Sequence, residues 1–144
     1  MNVVGAEFER GAIDQSYACR KDKGNRAALA QALKNTTATG WFLKMDIRRY
    51  FDSIDHNILC KRFRRLFKDP CLLRLLNKIV ASYELTSGRG LPIGTLTSQY
   101  FANFYLDSLD RFVKEELGCS RYVRFMDDFV LWDIGRASCR GRGA

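Results

Sequence analysis

The chain has 144 residues, 47% of them hydrophobic and 12% aromatic, and 24 basic against 16 acidic side chains give it a net charge of +8. This composition describes a globular protein with a modest core and excludes a disordered one. No apolar run approaches the roughly 18 residues that cross a bilayer, and Met1-Asn-Val-Val-Gly-Ala-Glu-Phe8 lacks the features of a signal peptide, so the chain reads as cytoplasmic with no membrane partner.

Cys19, Cys60, Cys71, Cys119 and Cys139 are scattered, without a Cys-x-x-Cys pair, which predicts reduced thiols and neither a zinc site nor a disulfide framework. His56 is the only histidine, so His-rich metal sites are excluded, and no nucleophile elbow accompanies it. The excess of positive charge suits a polyanionic partner, with a solvated basic surface as the alternative.

In chain order, Ser16-Tyr-Ala-Cys-Arg-Lys-Asp-Lys-Gly24 is a basic segment closed by glycine, and 27–33 reads as helix from its alanines and leucines. At such a loop-to-helix junction Arg20, Lys21, Lys23 and Arg26 could reach phosphate, and a solvated loop explains them equally well. After a polar linker at 35–40, Trp41-Phe-Leu-Lys-Met-Asp-Ile47 predicts a central strand. A buried Asp46 without a partner would cost several kcal/mol, and a metal shared with another acid would account for it. Ser53-Ile-Asp-His56 reads as a helix start, which makes Asp52 and Asp55 structural.

The stripe Ile58, Leu59, Phe63, Leu66 and Phe67 predicts a helix over 57–68. Lys61, Arg62, Arg64, Arg65 and Lys68 fill its other faces, where they could follow a nucleic-acid backbone or simply be solvated. Asp69-Pro70 starts the next helix, which is apolar almost all round to about Tyr83 and therefore reads as core. Ser87-Gly-Arg-Gly90 is a turn, and the glycine-rich approach to the following helix lets another chain or ligand come close to the backbone. A long helix is predicted from Thr97 or Ser98 to Leu117, with Phe101, Tyr105, Leu109, Phe112, Val113 and Leu117 on one face and Gly118 as its stop.

Arg121-Tyr-Val-Arg-Phe-Met-Asp-Asp-Phe-Val-Leu-Trp132 predicts two strands, 122–125 and 129–132, joined by Met126-Asp127-Asp128. Two adjacent carboxylates between apolar strands repel each other, and a divalent cation would convert that repulsion into binding. An ordinary Asp-rich hairpin turn is the alternative. Helices packed on one face of a small antiparallel sheet make an α+β layer structure. A strand beside the hairpin, about 4.8 Å away, would bring Asp46 next to Asp127. Carboxylates so grouped could hold two metal ions about 3.5 to 4 Å apart, the arrangement for in-line nucleotidyl transfer.

Leu43-Lys-Met-Asp-Ile-Arg-Arg-Tyr-Phe-Asp-Ser-Ile-Asp-His56, Gly90-Leu-Pro-Ile-Gly-Thr-Leu-Thr-Ser-Gln99 and Tyr122-Val-Arg-Phe-Met-Asp-Asp128 resemble motifs A, B and C of reverse transcriptases, in that order and at fitting spacing. Together they are far more specific than Met-Asp-Asp alone. The detail is most similar to bacterial and phage enzymes, especially those of diversity-generating retroelements. Ser16-Tyr-Ala-Cys-Arg-Lys21, Phe101-Ala-Asn-Phe-Tyr-Leu106 and Leu109-Asp-Arg-Phe-Val-Lys114 add to that likeness, and group II intron and retron enzymes stand close beside it. The resemblance covers roughly residues 8–132.

The resemblance implies a polymerase palm, a ferredoxin-like antiparallel sheet with helices on one face, together with partial fingers. It implies RNA-directed DNA polymerase activity with two Mg²⁺ ions, Mn²⁺ being the alternative. The partners would be an RNA template, a DNA or RNA primer and dNTPs, with an accessory protein of the retroelement as a further candidate. Asp46, Asp127 and Asp128 would be the catalytic carboxylates, and the Ile47 carbonyl would also face a metal. Phe51 matches the aromatic gate that rejects a ribose 2′-hydroxyl, which argues against an RNA-dependent RNA polymerase. Ile93 stands where many relatives carry a Gln that touches the incoming nucleotide, which implies relaxed nucleotide selection. Ser98 and Gln99 would lie near the template and nascent pair, Met126 near the primer terminus, and Arg20 and Lys23 along the nucleic acid.

On this resemblance, residues 1–40 are partial fingers, 41–53 palm, 54–90 a fingers/palm helical insertion and 91–132 palm again. Phe125 replaces the more familiar Tyr. Residues 133–144 show no likeness to the family and read as an out-of-frame or expression-derived tail. The expected chain is a palm-centred fragment, inactive in isolation because primer grip and triphosphate clamp lie outside it. A non-catalytic nucleic-acid-binding remnant is the alternative.

Overall fold

The computed structural model describes residues 4–133. Its elements in order are α1 (Gly5–Gly11), α2 (Asn25–Thr39), β1 (Phe42–Asp46), α3 (Tyr50–Ser53), α4 (His56–Leu66), α5 (Pro70–Ala81), α6 (Leu96–Tyr105), α7 (Asp107–Arg111), a π-helical turn at Phe112–Glu116, β2 (Arg121–Phe125) and β3 (Asp128–Trp132). Helices together with an antiparallel sheet make this the expected α+β, palm-like class. The described residues form two compact units, 4–10 with 48–105 and 11–47 with 106–133.

The first unit is helical. Asp55 starts α4 by accepting from the Asn57 and Ile58 amides at 2.9 and 3.1 Å, and Asp69 starts α5 by accepting from Cys71 and Leu72 at 2.7 and 3.0 Å. Both satisfy amides that have no partner inside their helix. The core is aromatic: Phe8 meets Phe67 edge-on at 5.6 Å and Phe104 at 5.0 Å, and Phe63 meets Phe101 at 4.9 Å. α5 is less buried than its composition suggests. Leu76 and Val80 face inward, while Leu75 and Ile79 are exposed.

The second unit carries a three-stranded antiparallel sheet in the order β1-β3-β2. The register pairs Tyr122 with Leu131 and Arg124 with Phe129. Tyr122, Phe129 and Leu131 pack with Val113 and Cys119 in one cluster, and Val123 and Trp132 pack with Tyr17 and Ala28 in another. Alternate residues of one sheet point to opposite faces, so α2 covers one face while α7 and the π-turn cover the other. The class is as expected, but the helices are not confined to one face.

Two local expectations give way. β1 is an edge strand, and all five of its residues are exposed. Its apolar run suggested a central strand, but β3 takes the centre because the hairpin pairs it with β2 and leaves its other edge to β1. Asp46 is therefore exposed and carries no burial cost that a metal would have to offset. The single helix expected to run from about 97 to Leu117 is broken after Tyr105, whose carbonyl accepts from Arg62 Nη1 at 2.7 Å. The Leu117 amide then bonds Phe112, a five-residue step that rotates the apolar stripe and leaves Phe112 and Leu117 exposed. No helix among the described residues is long and apolar enough to cross a membrane.

Candidate active site

The Phe125–Asp128 pair closes a hairpin whose loop is only Met126 and Asp127. Two-residue hairpin loops favour positive φ, and Met126 adopts +57°. For a bulky side chain that conformation costs about 1–3 kcal/mol. Asp128 is thus the first residue of β3, not part of the turn as the sequence suggested. The register sets it directly opposite Asp46. Asp46 is therefore beside Asp128, and the expected Asp46–Asp127 neighbour pair is corrected by one residue. The shift follows from the shortness of the loop.

Residues directly opposite on antiparallel strands share a face, and like charges there repel. The Lys44 ammonium, on the same face two residues before Asp46, lies 3.2 Å from Asp128 Oδ1. A cation of the chain itself thus answers part of the repulsion. Asp127 is half-buried at the turn, and Asp46 and Asp128 are exposed. Ile47 packs on the Tyr122–Phe129–Leu131 cluster, which fixes the end of β1. Among the described residues no group of three or more His, Cys, Asp or Glu is gathered closely enough to hold a metal ion. Hard carboxylate oxygens, two of them opposed and one already holding an ammonium, nevertheless suit Mg²⁺ in donor type.

Behind the turn lies a polar network that the sequence reading missed. Arg124 and Asp110 are 1% and 0% exposed. Arg124 donates through Nε and Nη2 to the two Asp110 oxygens, both at 2.6 Å. It also donates to Ser16 Oγ at 3.0 Å and to the Met126 carbonyl at 2.9 Å. The Tyr122 hydroxyl donates to Asp110 at 2.7 Å, and burial, followed by the Asp110 charge, pushes its pKa up. The available signal was an arginine on the same strand face as Tyr122, between the apolar Val123 and Phe125.

The remaining candidates fall into two groups. Arg20 donates to the Ile13 and Ser16 carbonyls, and Lys23 pairs with Asp14 at 2.6 Å over the Tyr17 ring. Both cations are thus engaged within the chain. In the first unit, Phe51 is half-buried, and its carbonyl accepts from Leu91 at 2.9 Å in the stretch leading to Ile93. Gly90 in that stretch has φ +108°, and a Cβ there would meet the Leu85 amide at 3.2 Å. Ile93 is 77% exposed. Ser98 is buried with its hydroxyl bonded to Thr95, and Gln99 is half-buried.

Two further residue types behave structurally. His56 Nε2 bonds the Gly90 carbonyl at 2.7 Å. Cys19, Cys60, Cys71 and Cys119 are free, and burial raises the pKa of Cys19, Cys60 and Cys119.

A family profile described as reverse transcriptase (RNA-dependent DNA polymerase) matches residues 5–136. The chain belongs to the reverse transcriptase family. Among its relatives, the group II intron-encoded protein LtrA of Lactococcus lactis subsp. cremoris is 30% identical over 77% of this chain and 20% of its own length. The putative COX1/OXI3 intron 2 protein of Saccharomyces cerevisiae is 26% identical over 88% of this chain and 14% of its own. An uncharacterized 91 kDa protein in the cob intron of Schizosaccharomyces pombe is 30% identical over 78% and 15%. The chain thus spans a fifth or less of these relatives. All three names are those of intron proteins, LtrA being of the group II kind that the sequence set beside the diversity-generating retroelements, and none of the three names points to the latter.

The reverse transcriptase match passes Trp132 and reaches residue 136. The expected foreign tail lies outside the described residues apart from Asp133, whose carboxylate pairs with Arg121 at 2.5 Å.

Proposed function

We propose that this reverse transcriptase chain is the palm and part of the fingers of an RNA-directed DNA polymerase, which adds dNTPs to a primer 3′-end on an RNA template. The observation that carries the reading is the register opposition of Asp46 and Asp128 next to the Asp127 turn, in a chain of this family. Asp46, Asp127 and Asp128, with the Ile47 carbonyl, would hold two Mg²⁺ ions. Such ions, when bound, make a 3′-hydroxyl a better nucleophile and neutralise the departing pyrophosphate.

The chain's other residues bind and select. Phe51 would sit against the sugar and exclude a 2′-hydroxyl. The exposed Ile93 side chain offers the nucleotide an apolar surface without a hydrogen bond. Met126 would pack against the primer terminus, and Ser98 and Gln99 would border the template, where Thr95 holds Ser98 by donating to its hydroxyl oxygen and accepting from its amide. Arg20 and Lys23 would meet phosphate only by loosening their contacts within the chain. We place turnover in a longer polypeptide and expect this chain alone to be inactive.

The test is dTTP incorporation on poly(rA)·oligo(dT) with Mg²⁺, by this chain and by a longer polypeptide that carries it. Asp127→Ala should reduce incorporation by the longer form more than about 100-fold, beyond the effect of losing an outer-shell partner of a metal site. Binding of RNA with no incorporation by either form would replace this reading with the non-catalytic remnant.

A further inference from the structure

We propose that Arg124 is a positioning residue for Asp127, clamped by Asp110 and acting through the Met126 carbonyl. The inference rests on the reading that Asp127 holds a catalytic metal. Arg124 presents its guanidinium fork to the buried Asp110 carboxylate, a bidentate geometry that fixes the plane of the group and not merely its charge. Ser16 Oγ accepts from the same Nη2, and the Tyr122 hydroxyl donates to Asp110 Oδ1. The Arg124 backbone is held as well: its amide donates to the Gln15 carbonyl and its carbonyl accepts from the Tyr17 amide, each at 3.0 Å. Group and backbone are therefore fixed by β2, by α7 and by the segment around Ser16.

From this fixed point Nη1 donates to the Met126 carbonyl at 2.9 Å. That carbonyl belongs to the peptide joining Met126 to Asp127. It lies in the loop beyond the closing Phe125–Asp128 pair, outside the ladder. Holding its oxygen orients the peptide plane, and with it the direction in which the Asp127 side chain leaves the backbone. Met126 stands at φ +57°, a conformation a bulky residue leaves readily unless its surroundings hold it. A buried ion pair is weak evidence for a purely stabilising role, because apolar residues of similar volume often serve stability as well. A fork that reaches the loop peptide gives this pair a local task.

The test compares Arg124→Lys with Val113→Ala, a core substitution on the same sheet face that removes none of the network's hydrogen-bonding groups. Lysine keeps the charge but cannot hold both Asp110 oxygens and the Met126 carbonyl. Three quantities are read on each variant: melting temperature, amide hydrogen exchange by residue, and Mn²⁺ affinity by electron paramagnetic resonance. Positioning predicts that Arg124→Lys speeds exchange at Phe125 and Asp128, the pair that closes the loop, about tenfold more than at Val123 and Val130. It also predicts Mn²⁺ binding about tenfold weaker, the lower end of an outer-shell effect. Val113→Ala should lower the melting temperature without either change.

Uniform exchange in Arg124→Lys, or Mn²⁺ affinity equal to that of Val113→Ala, overturns the proposal. If Arg124→Lys does not fold, Ser16→Ala, which removes one support of the guanidinium, should show the same pattern with smaller amplitude, and its absence overturns the proposal. If the unmodified chain binds Mn²⁺ no better than Asp127→Ala while exchange responds as expected, the metal reading falls and the clamp on the turn stands.

Discussion

Lys44 reaches diagonally across β1 and β3 to Asp128, Nζ to Oδ1 at 3.2 Å, from the strand that also sets Asp46 opposite the same aspartate. Both partners are more than half exposed, at 61% and 54%. An exposed pair of this kind contributes at most about 1 kcal/mol, and the ammonium occupies a carboxylate that the proposed chemistry needs. Lys44→Met should therefore tighten Mn²⁺ binding by up to about fivefold, the factor equivalent to that energy. Titration followed by electron paramagnetic resonance measures it. Unchanged or weaker binding would show that Asp128 does not need releasing.

Phe51 and Ile93 test nucleotide selection in the longer, active form. Phe51→Ala should raise ribonucleotide incorporation about tenfold or more, since removing a steric contact of this size alters discrimination by about 10–200-fold. Ile93→Gln should lower misincorporation by restoring a hydrogen-bonding group at a side chain now 77% exposed. Single-nucleotide extension against matched and mismatched templates reads both. An unchanged error rate in Ile93→Gln would remove that residue from selection.

Asp55→Ala and Asp69→Ala each delete a carboxylate that accepts from two amides of a helix's first turn. Each should cost about 1 kcal/mol. Thermal melting followed by circular dichroism should register a fall of several degrees, with about 4–8 °C per kcal/mol typical of small domains and less for larger ones. No shift for Asp55→Ala, which also removes its pairing with Arg89 at 3.7 Å, would mean that neither contact contributes measurably to stability.

Phe63→Ala should be the most damaging of these changes. The ring is fully buried among Phe8, Phe101 and Phe104. Truncating such a side chain costs about 3–5 kcal/mol, and urea unfolding should show a lower midpoint at similar slope. A loss below about 1 kcal/mol would mean that the aromatic cluster collapses around the cavity.

What the sequence determined by itself was local. Asp55 and Asp69 act within three residues of themselves, so their capping roles were legible. The hairpin and the three motifs were equally visible, because strand alternation, turn chemistry and motif spacing are written along the chain. Tertiary structure alone decided which strand occupies the centre. It therefore decided that β1 lies exposed at the edge and that Asp46 faces Asp128 and not Asp127. It also decided the break after Tyr105, whose carbonyl is taken by Arg62 from 43 residues away. Arg124 shows the reason most clearly. Its partners lie 14 residues off at Asp110 and 108 at Ser16, and no periodicity of 2 or 3.6 residues encodes such a meeting. Burial brings distant charges together only when their full hydrogen-bonding demand is met, and that condition is satisfied by the folded packing, not by any segment read alone.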